Sequence, residues 1–450
     1  MGGRDRSHPA RASRLATWLP VALVLAVLAA GVVAWRLDPA GPDPVEPPAA
    51  IPPPPGLALE APPTPEPVAA AATGVPDAAK VRRALAPALR DADLGPHVLA
   101  TVAGLDGTLL FSSGTGEAVP ASTLKLLTAT AALETLGPDH TFPTSVVAAG
   151  PRRVVLVGGG DPLLSAADVR ALARTTSAGL QGAVRVGYDD HLFSGPAVSG
   201  HWEPGYVPEE VSPISALWVD EGTEADGADP AAAAAAVLAR ALDAAGVRVV
   251  GEPAPVRAPA DGTELATLDS EPLAGIVEHT LQTSDNNAAE VLARQVDLAT
   301  GGTGTFAGGA RAVLRVLDGL GVPTQGATTY DGSGLSRADR LDPDTLTAVL
   351  EVAASPDRPE LRAVLTGLPV AGFSGSLVER FAEGDAGRGL VRAKTGTLSG
   401  VSSLAGIATD REGRPMVFAL LADDIDLVDT LDARAALDAA TSALAGCRCG

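Results

Sequence analysis

Two hairpin signals near opposite ends of the globular region constrain this chain more than any other feature. His97–Gly104 and Thr108–Ser112 read as strands joined at Asp106-Gly107, and Ser402–Thr409 and Met416–Ala422 as strands joined at Glu412-Gly413. A further strand-like run, Leu390–Lys394, precedes the second pair. Helical patterns flank both groups: Lys80–Leu89 before the first, and segments near 306–320, 343–354 and 428–445 around the second. Strands at both ends with helices between them predict an α+β sandwich, one sheet in which the first strands pair with the last. Residues 146–264 then become an insertion. Short strands are expected there at Arg153–Val157, Ala183–Tyr188 and Val247–Val250, with helices at Ala166–Thr175 and Ala231–Ala244. With 46% hydrophobic but only 3% aromatic residues, the core must be built from Ala, Val and Leu.

The N-terminal part has a different character. Arg4, Arg6, Arg11 and Arg14 precede an uncharged, mostly apolar stretch from Leu15 to Trp35. That length spans a bilayer as a helix, and the flanking charges favour the N-terminus inside. A cleaved signal peptide is the rival reading. The expectation is a basic cytoplasmic tail (1–14), one transmembrane signal anchor (15–35) and a proline-rich linker (36–77). The linker holds 14 of the 38 prolines. The bulk of the chain then lies outside the cytoplasm, tethered to the cell membrane. A net charge of −21 argues against nucleic acid as a partner. Cys447 and Cys449 read as an oxidised pair or as tail thiols, and scattered histidines give no metal-ligand spacing. No metal or cofactor is expected.

Chemistry-bearing residues fall in three places. Ser122 and Lys125 stand one turn apart at a helix start, a possible nucleophile and base; a capping serine with a solvated lysine is the bland alternative. Ser284-Asp-Asn286 lies between two helical segments, where a capping turn is the bland reading. Lys394-Thr-Gly-Thr397 follows a strand-like run, and Gly396 would let a substrate backbone approach. Composition weighs against the bland readings. Arginine is the default cation here, and Lys80, Lys125 and Lys394 are the only lysines; Asn286 and Asn287 are the only asparagines.

In this order, Ser-x-x-Lys, Ser-Asp-Asn and Lys-Thr-Gly form the signature of penicillin-binding proteins and class A β-lactamases. The chain resembles the class C low-molecular-mass penicillin-binding proteins, serine-type D-alanyl-D-alanine carboxypeptidases/endopeptidases. Gly158-Gly-Gly-Asp-Pro162, Asp331-Gly-Ser-Gly-Leu-Ser-Arg337 and Leu368-Pro-Val-Ala-Gly372 are similar to further motifs of that group. The resemblance implies a penicillin-binding/β-lactamase-like transpeptidase fold. Its discontinuous peptidase domain would occupy 78–145 and 265–446, with a reduced insertion domain at 146–264. It implies peptidoglycan stem peptides as substrates and β-lactams as covalent inhibitors. Ser122 would be the nucleophile and Lys125, as a neutral amine, its base, with burial at the base of the cleft and the positive Lys394 both lowering its pKa. Ser284 would relay a proton to the leaving D-alanine and Asn286 would position the peptide. Lys394, Thr395, Gly396 and Thr397 would receive the terminal carboxylate, with Lys394 keeping its charge. The backbone N–H groups of Ser122 and Thr397 would form an oxyanion hole. A β-lactamase or an esterase of the same fold, and a non-catalytic wall-binding or sensor domain, are the alternatives.

Overall fold

The structure is a computed structural model that describes residues 74–225 and 229–450. The expected membrane segment, 15–35, and most of the linker lie outside these residues. Among the described residues no helix is long and apolar enough to cross a membrane. Ten strands follow in chain order: β1 (Val98–Gly104), β2 (Leu109–Ser113), β3 (Pro143–Ala148), β4 (Arg153–Val157), β5 (Arg185–Asp189), β6 (Ala254–Pro255), β7 (Thr263–Asp269), β8 (Val391–Leu398), β9 (Val401–Thr409) and β10 (Pro415–Ala422).

The first sheet has the order β2-β1-β10-β9-β8, antiparallel throughout. β1 and β10 pair from Val98↔Ala422 to Gly104↔Met416, so the first strand of the region lies against the last. Alternation along β10 loads both faces, as expected for a sheet covered on two sides. Val417, Ala419 and Leu421 face a core built with helices Lys125–Leu136, Leu273–Thr283, Asn286–Ala299 and Pro343–Ala354. Met416, Phe418 and Leu420 face helices Ala78–Leu85 and Thr430–Gly446. Cys447 and Cys449 form a disulfide just past that last helix, and Asp77 N donates to Cys449 O.

The second sheet has the order β6-β5-β4-β3-β7 and its own core, with helices Ala166–Ser177 and Pro230–Ala244 packed on it. Parallel β4 and β5 are joined through the first of these helices, and parallel β5 and β6 through the second. Ser165 and Asp168 close the first helix with a capping box, and Asp229 caps the second. Two features differ from the sequence reading. β3 and β7 pair with each other from Pro143↔Asp269 onward, so the sheet's framing strands reach beyond 146 and 264. Val247–Val250 is not a strand; it touches the sheet through the single bridge Val184↔Val249.

Candidate active site

Regular helix begins at Lys125, and Ser122 sits on the 3-10 turn Ala121–Leu124 that leads into it. The turn is held in an unusual conformation: Ala121 has φ 46°, a region L-residues avoid. Thr123 Oγ1 and Ser403 Oγ both donate to Pro120 O, at 2.7 and 2.6 Å. On the opposite side a Cβ on Gly334 would stand 2.0 Å from Ala121 O, so only glycine fits there. Strand β9 and the 331–337 loop thus grip the turn that presents Ser122.

Lys125 is fully buried. Its Nζ donates to Ser122 Oγ at 2.8 Å, Asn286 Oδ1 at 2.7 Å and Ser333 O at 2.9 Å. Burial pushes its pKa down to about 8, while the charges of Glu290, Asp331 and Asp285 pull it back up. Burial is the leading cause, as the sequence reading expects, and it acts against the pull of acidic neighbours. Glu290 lies one turn beyond Asn286 on the same helix face. Its carboxylate, also fully buried, accepts from Gly332 N at 3.1 Å and Ser333 N at 2.8 Å, which fixes the carbonyl that Lys125 uses. Burial and the charge of Asp331 push Glu290 up; these N–H groups hold it back. Asp331 in turn accepts from Gly334 N, Ser336 N and Trp202 Nε1. The Asp331–Arg337 motif is therefore mostly the floor beneath Lys125, with only Arg337 partly exposed.

Ser284 ends helix Leu273–Thr283 in a left-handed conformation, φ 63°. Its Oγ accepts from Lys394 Nζ at 2.7 Å, and the same amine donates to Thr395 O at 2.8 Å. Lys394 is fully buried, and burial together with the charges of Lys125 and Arg380 pushes its pKa well below the usual lysine value. Both amines are therefore pushed in the same direction, where the sequence reading expects Lys125 alone to be. The side chains that reach the cleft from this wall are Ser284, Thr395 and Thr397. Gly396 is needed for a reason other than the one expected. A Cβ there would stand 2.1 Å from Ser403 Oγ, 2.7 Å from Pro120 O and 3.0 Å from Ser122 N, so glycine lets β8 press against the nucleophile turn.

The two asparagines tie this site to a strap from the insertion. Asn286 Nδ2 donates to Glu210 O at 2.8 Å, while Asn287 accepts from Ser212 N at 2.8 Å and donates to Glu221 Oε2 at 3.2 Å. Ser122, Ser284, Asn286, Thr395 and Thr397 converge on one cleft of about 790 Å³, whose far wall is this strap. The remaining motifs support the frame. Gln295 Nε2 donates to Gly159 O at 2.8 Å and Trp218 Nε1 to Pro162 O at 3.1 Å, while Pro369 O accepts from Ala393 N in β8. Glu290 escaped the sequence reading, although its spacing of four from Asn286 was a usable signal.

A family model described as D-Ala-D-Ala carboxypeptidase 3 (S13) matches residues 81–226 and 224–444. A carboxypeptidase of Mycobacterium tuberculosis is 36% identical, over 83% of this chain and 85% of its own. A D-alanyl-D-alanine carboxypeptidase of Actinomadura is 33% identical, over 73% of this chain and 77% of its own. Penicillin-binding protein 4 of Haemophilus influenzae shares the fold with a TM-score of 0.70 at 22% identity, over 82% of this chain and 98% of that one.

Proposed function

This chain belongs to the D-Ala-D-Ala carboxypeptidase 3 (S13) family, and from that premise we propose how its residues divide the reaction. It is a serine-type D-Ala-D-Ala carboxypeptidase that acts on peptidoglycan and binds β-lactams. The contact that supports the division best is the 2.8 Å hydrogen bond between buried Lys125 and Ser122.

Neutral Lys125 takes the Ser122 proton as Oγ attacks the carbonyl between the two terminal D-alanines. The N–H groups of Ser122 and Thr397 receive the oxyanion, which preorganised donors stabilise by a few kcal/mol. The terminal carboxylate docks against Thr395 and Thr397, beside Ser284. Its negative charge favours protonated Lys394 behind them. Ser284, hydrogen-bonded to Lys394, passes a proton to the leaving amine as the C–N bond breaks. Asn286 holds Lys125 through Oδ1 and, once freed from Glu210 O, offers Nδ2 to the peptide. Glu290 and Asp331 are positioning residues that act through the 332–334 backbone. Water then hydrolyses the acyl-serine, returning Ser122. Residues 15–35 anchor the enzyme in the cell membrane with its catalytic part outside the cytoplasm; membrane fractionation of the full chain and of a chain lacking 1–36 tests that placement.

Fluorescent penicillin should label the enzyme on the peptide containing Ser122, and Ser122→Ala should take no label while keeping its far-UV circular dichroism. A label that persists in that variant defeats the assignment. Mass spectrometry of defined muropeptides separates loss of a terminal D-alanine from cleavage of cross-links.

A further inference from the structure

Beside the acyl-transfer residues, three side chains from separate elements come together, two of which, Glu221 and Asp285, line the cleft. Glu221 comes from the end of the insertion strap, His279 from the last turns of helix Leu273–Thr283, and Asp285 from the N-cap of the next helix. One potential ligand atom of each lies within 4.8 Å of the other two, a grouping with no second instance among the described residues. Helix capping accounts for only half of the Asp285 carboxylate: Oδ1 accepts from Ala288 N at 2.9 Å. Oδ2 is buried and has no hydrogen-bond donor, on a side chain only 4% exposed. The nearest candidate, His279 Nε2, stands 3.7 Å away, beyond hydrogen-bond reach. A buried carboxylate oxygen in that position is costly unless a cation meets it. Glu221 adds a second carboxylate to the group. A protonated His279 would pair with Asp285 at 3.7 Å but leave Oδ2 without a hydrogen bond, whereas a cation among the two acids and the imidazole would meet all three.

We infer that Glu221, His279 and Asp285 bind a divalent transition-metal ion, with Zn²⁺ the best match and water completing the coordination. One imidazole nitrogen and two carboxylate oxygens are a donor set that Zn²⁺ accepts, whereas Mg²⁺ and Ca²⁺ favour oxygen alone. Zinc–ligand bonds of about 2.1 Å place tetrahedral ligands about 3.4 Å apart, so the trio needs only a modest contraction. The location gives the ion a consequence. Asp285 lies between Ser284 and Asn286, and Glu221 ends the strap whose Glu210 O accepts from Asn286. Bound metal would pin the far end of that strap to the Ser284–Asn286 turn.

The test uses the full chain in detergent, without reductant so that Cys447 and Cys449 stay paired and offer no thiolate. After stripping with chelator, the protein is titrated with Zn²⁺ and the bound metal counted by elemental mass spectrometry, with Co²⁺ absorption as a report on geometry. One ion per chain and a tetrahedral Co²⁺ spectrum are expected. His279→Ala and Glu221→Gln should each weaken binding at least about tenfold. Both residues are partly exposed, so the variants should fold, which circular dichroism checks. Uptake well below one ion per chain, or uptake unchanged in both variants, overturns the inference.

Discussion

The acylation rate should rise with pH along a limb that belongs to the Lys125–Glu290 pair, and replacing Glu290 should move that limb in a known direction. Ordinary lysine titrates near 10.5, and at pH 7 only about one amine in 3000 would be neutral. With the pKa lowered to about 8, the neutral fraction at pH 7 becomes about one in eleven. Burial of this one amine therefore supplies about a 300-fold gain in active base at neutral pH. Sign and window follow directly. The base is the deprotonated form, so acylation falls about tenfold per pH unit well below 8 and levels off above about 9. Glu290 contributes the largest charge that pulls Lys125 upward. Glu290 is itself pushed up to about 8, so its charge forms over the same window and the limb belongs to the pair. Glu290→Gln keeps an acceptor oxygen for the 332–333 backbone but removes that charge, so the upper part of the limb should move to lower pH while its plateau persists. Glu290 is not among the groups that shift Lys394, whose pKa responds to burial, Lys125 and Arg380. A downward move therefore assigns the limb to the Lys125–Glu290 pair. Stopped-flow acylation by a fluorescent penicillin between about pH 5.5 and 10 reads it. A flat profile across pH 6 to 9, or a limb that Glu290→Gln moves to higher pH, refutes the reasoning.

Two further outcomes follow from the same geometry. Because folded Lys125 binds its proton more weakly than the unfolded chain, its burial costs about 3 kcal/mol below pH 8, a cost that fades as pH rises toward 10.5. The stability of the wild type minus that of Lys125→Met should thus increase over pH 8 to 10.5, and chemical denaturation showing no slope there would contradict it. Gly396→Ala places a methyl carbon 2.1 Å from Ser403 Oγ and 3.0 Å from Ser122 N, so it should cost about 1–3 kcal/mol and slow acylation sharply. Thermal unfolding and penicillin labelling check both, and an unimpaired variant would show that β8 does not brace the nucleophile turn.

The three motifs were legible because this chain uses so little lysine and asparagine that Lys125, Lys394 and Asn286 stand out. The hairpins were legible from Asp106-Gly107 and Glu412-Gly413, whose turn chemistry is local. The charge state of Lys394 was not, since it depends on what surrounds a side chain after folding. Asn287 reads like a second turn residue until Ser212 and Glu221 arrive from the insertion to bond it. β3 and β7 escaped because each is half exposed and weakly patterned, and β3 starts at a proline; their pairing, 126 residues apart at Pro143↔Asp269, makes them strands. The Glu221, His279 and Asp285 grouping had no spacing to read, because three separate elements supply it.

The pairing of β1 with β10 sets the order in which the enzyme can assemble. The second sheet uses a continuous stretch of chain, 143–269, and can form as soon as that stretch is available. The first cannot: β1 and β2 wait for strands from the far end of the region, and closing so long a loop is slow. Ser122 and Lys125 are synthesised early, yet the wall that seats their turn, Gly396 in β8 and Ser403 in β9, arrives near the end. A nascent or truncated chain ending before Val391 carries the nucleophile without its brace and without Lys394. Acyl-transfer competence is thus withheld until the strands from Val391 to Ala422 are present, and those strands act as a check on the turn that carries Ser122.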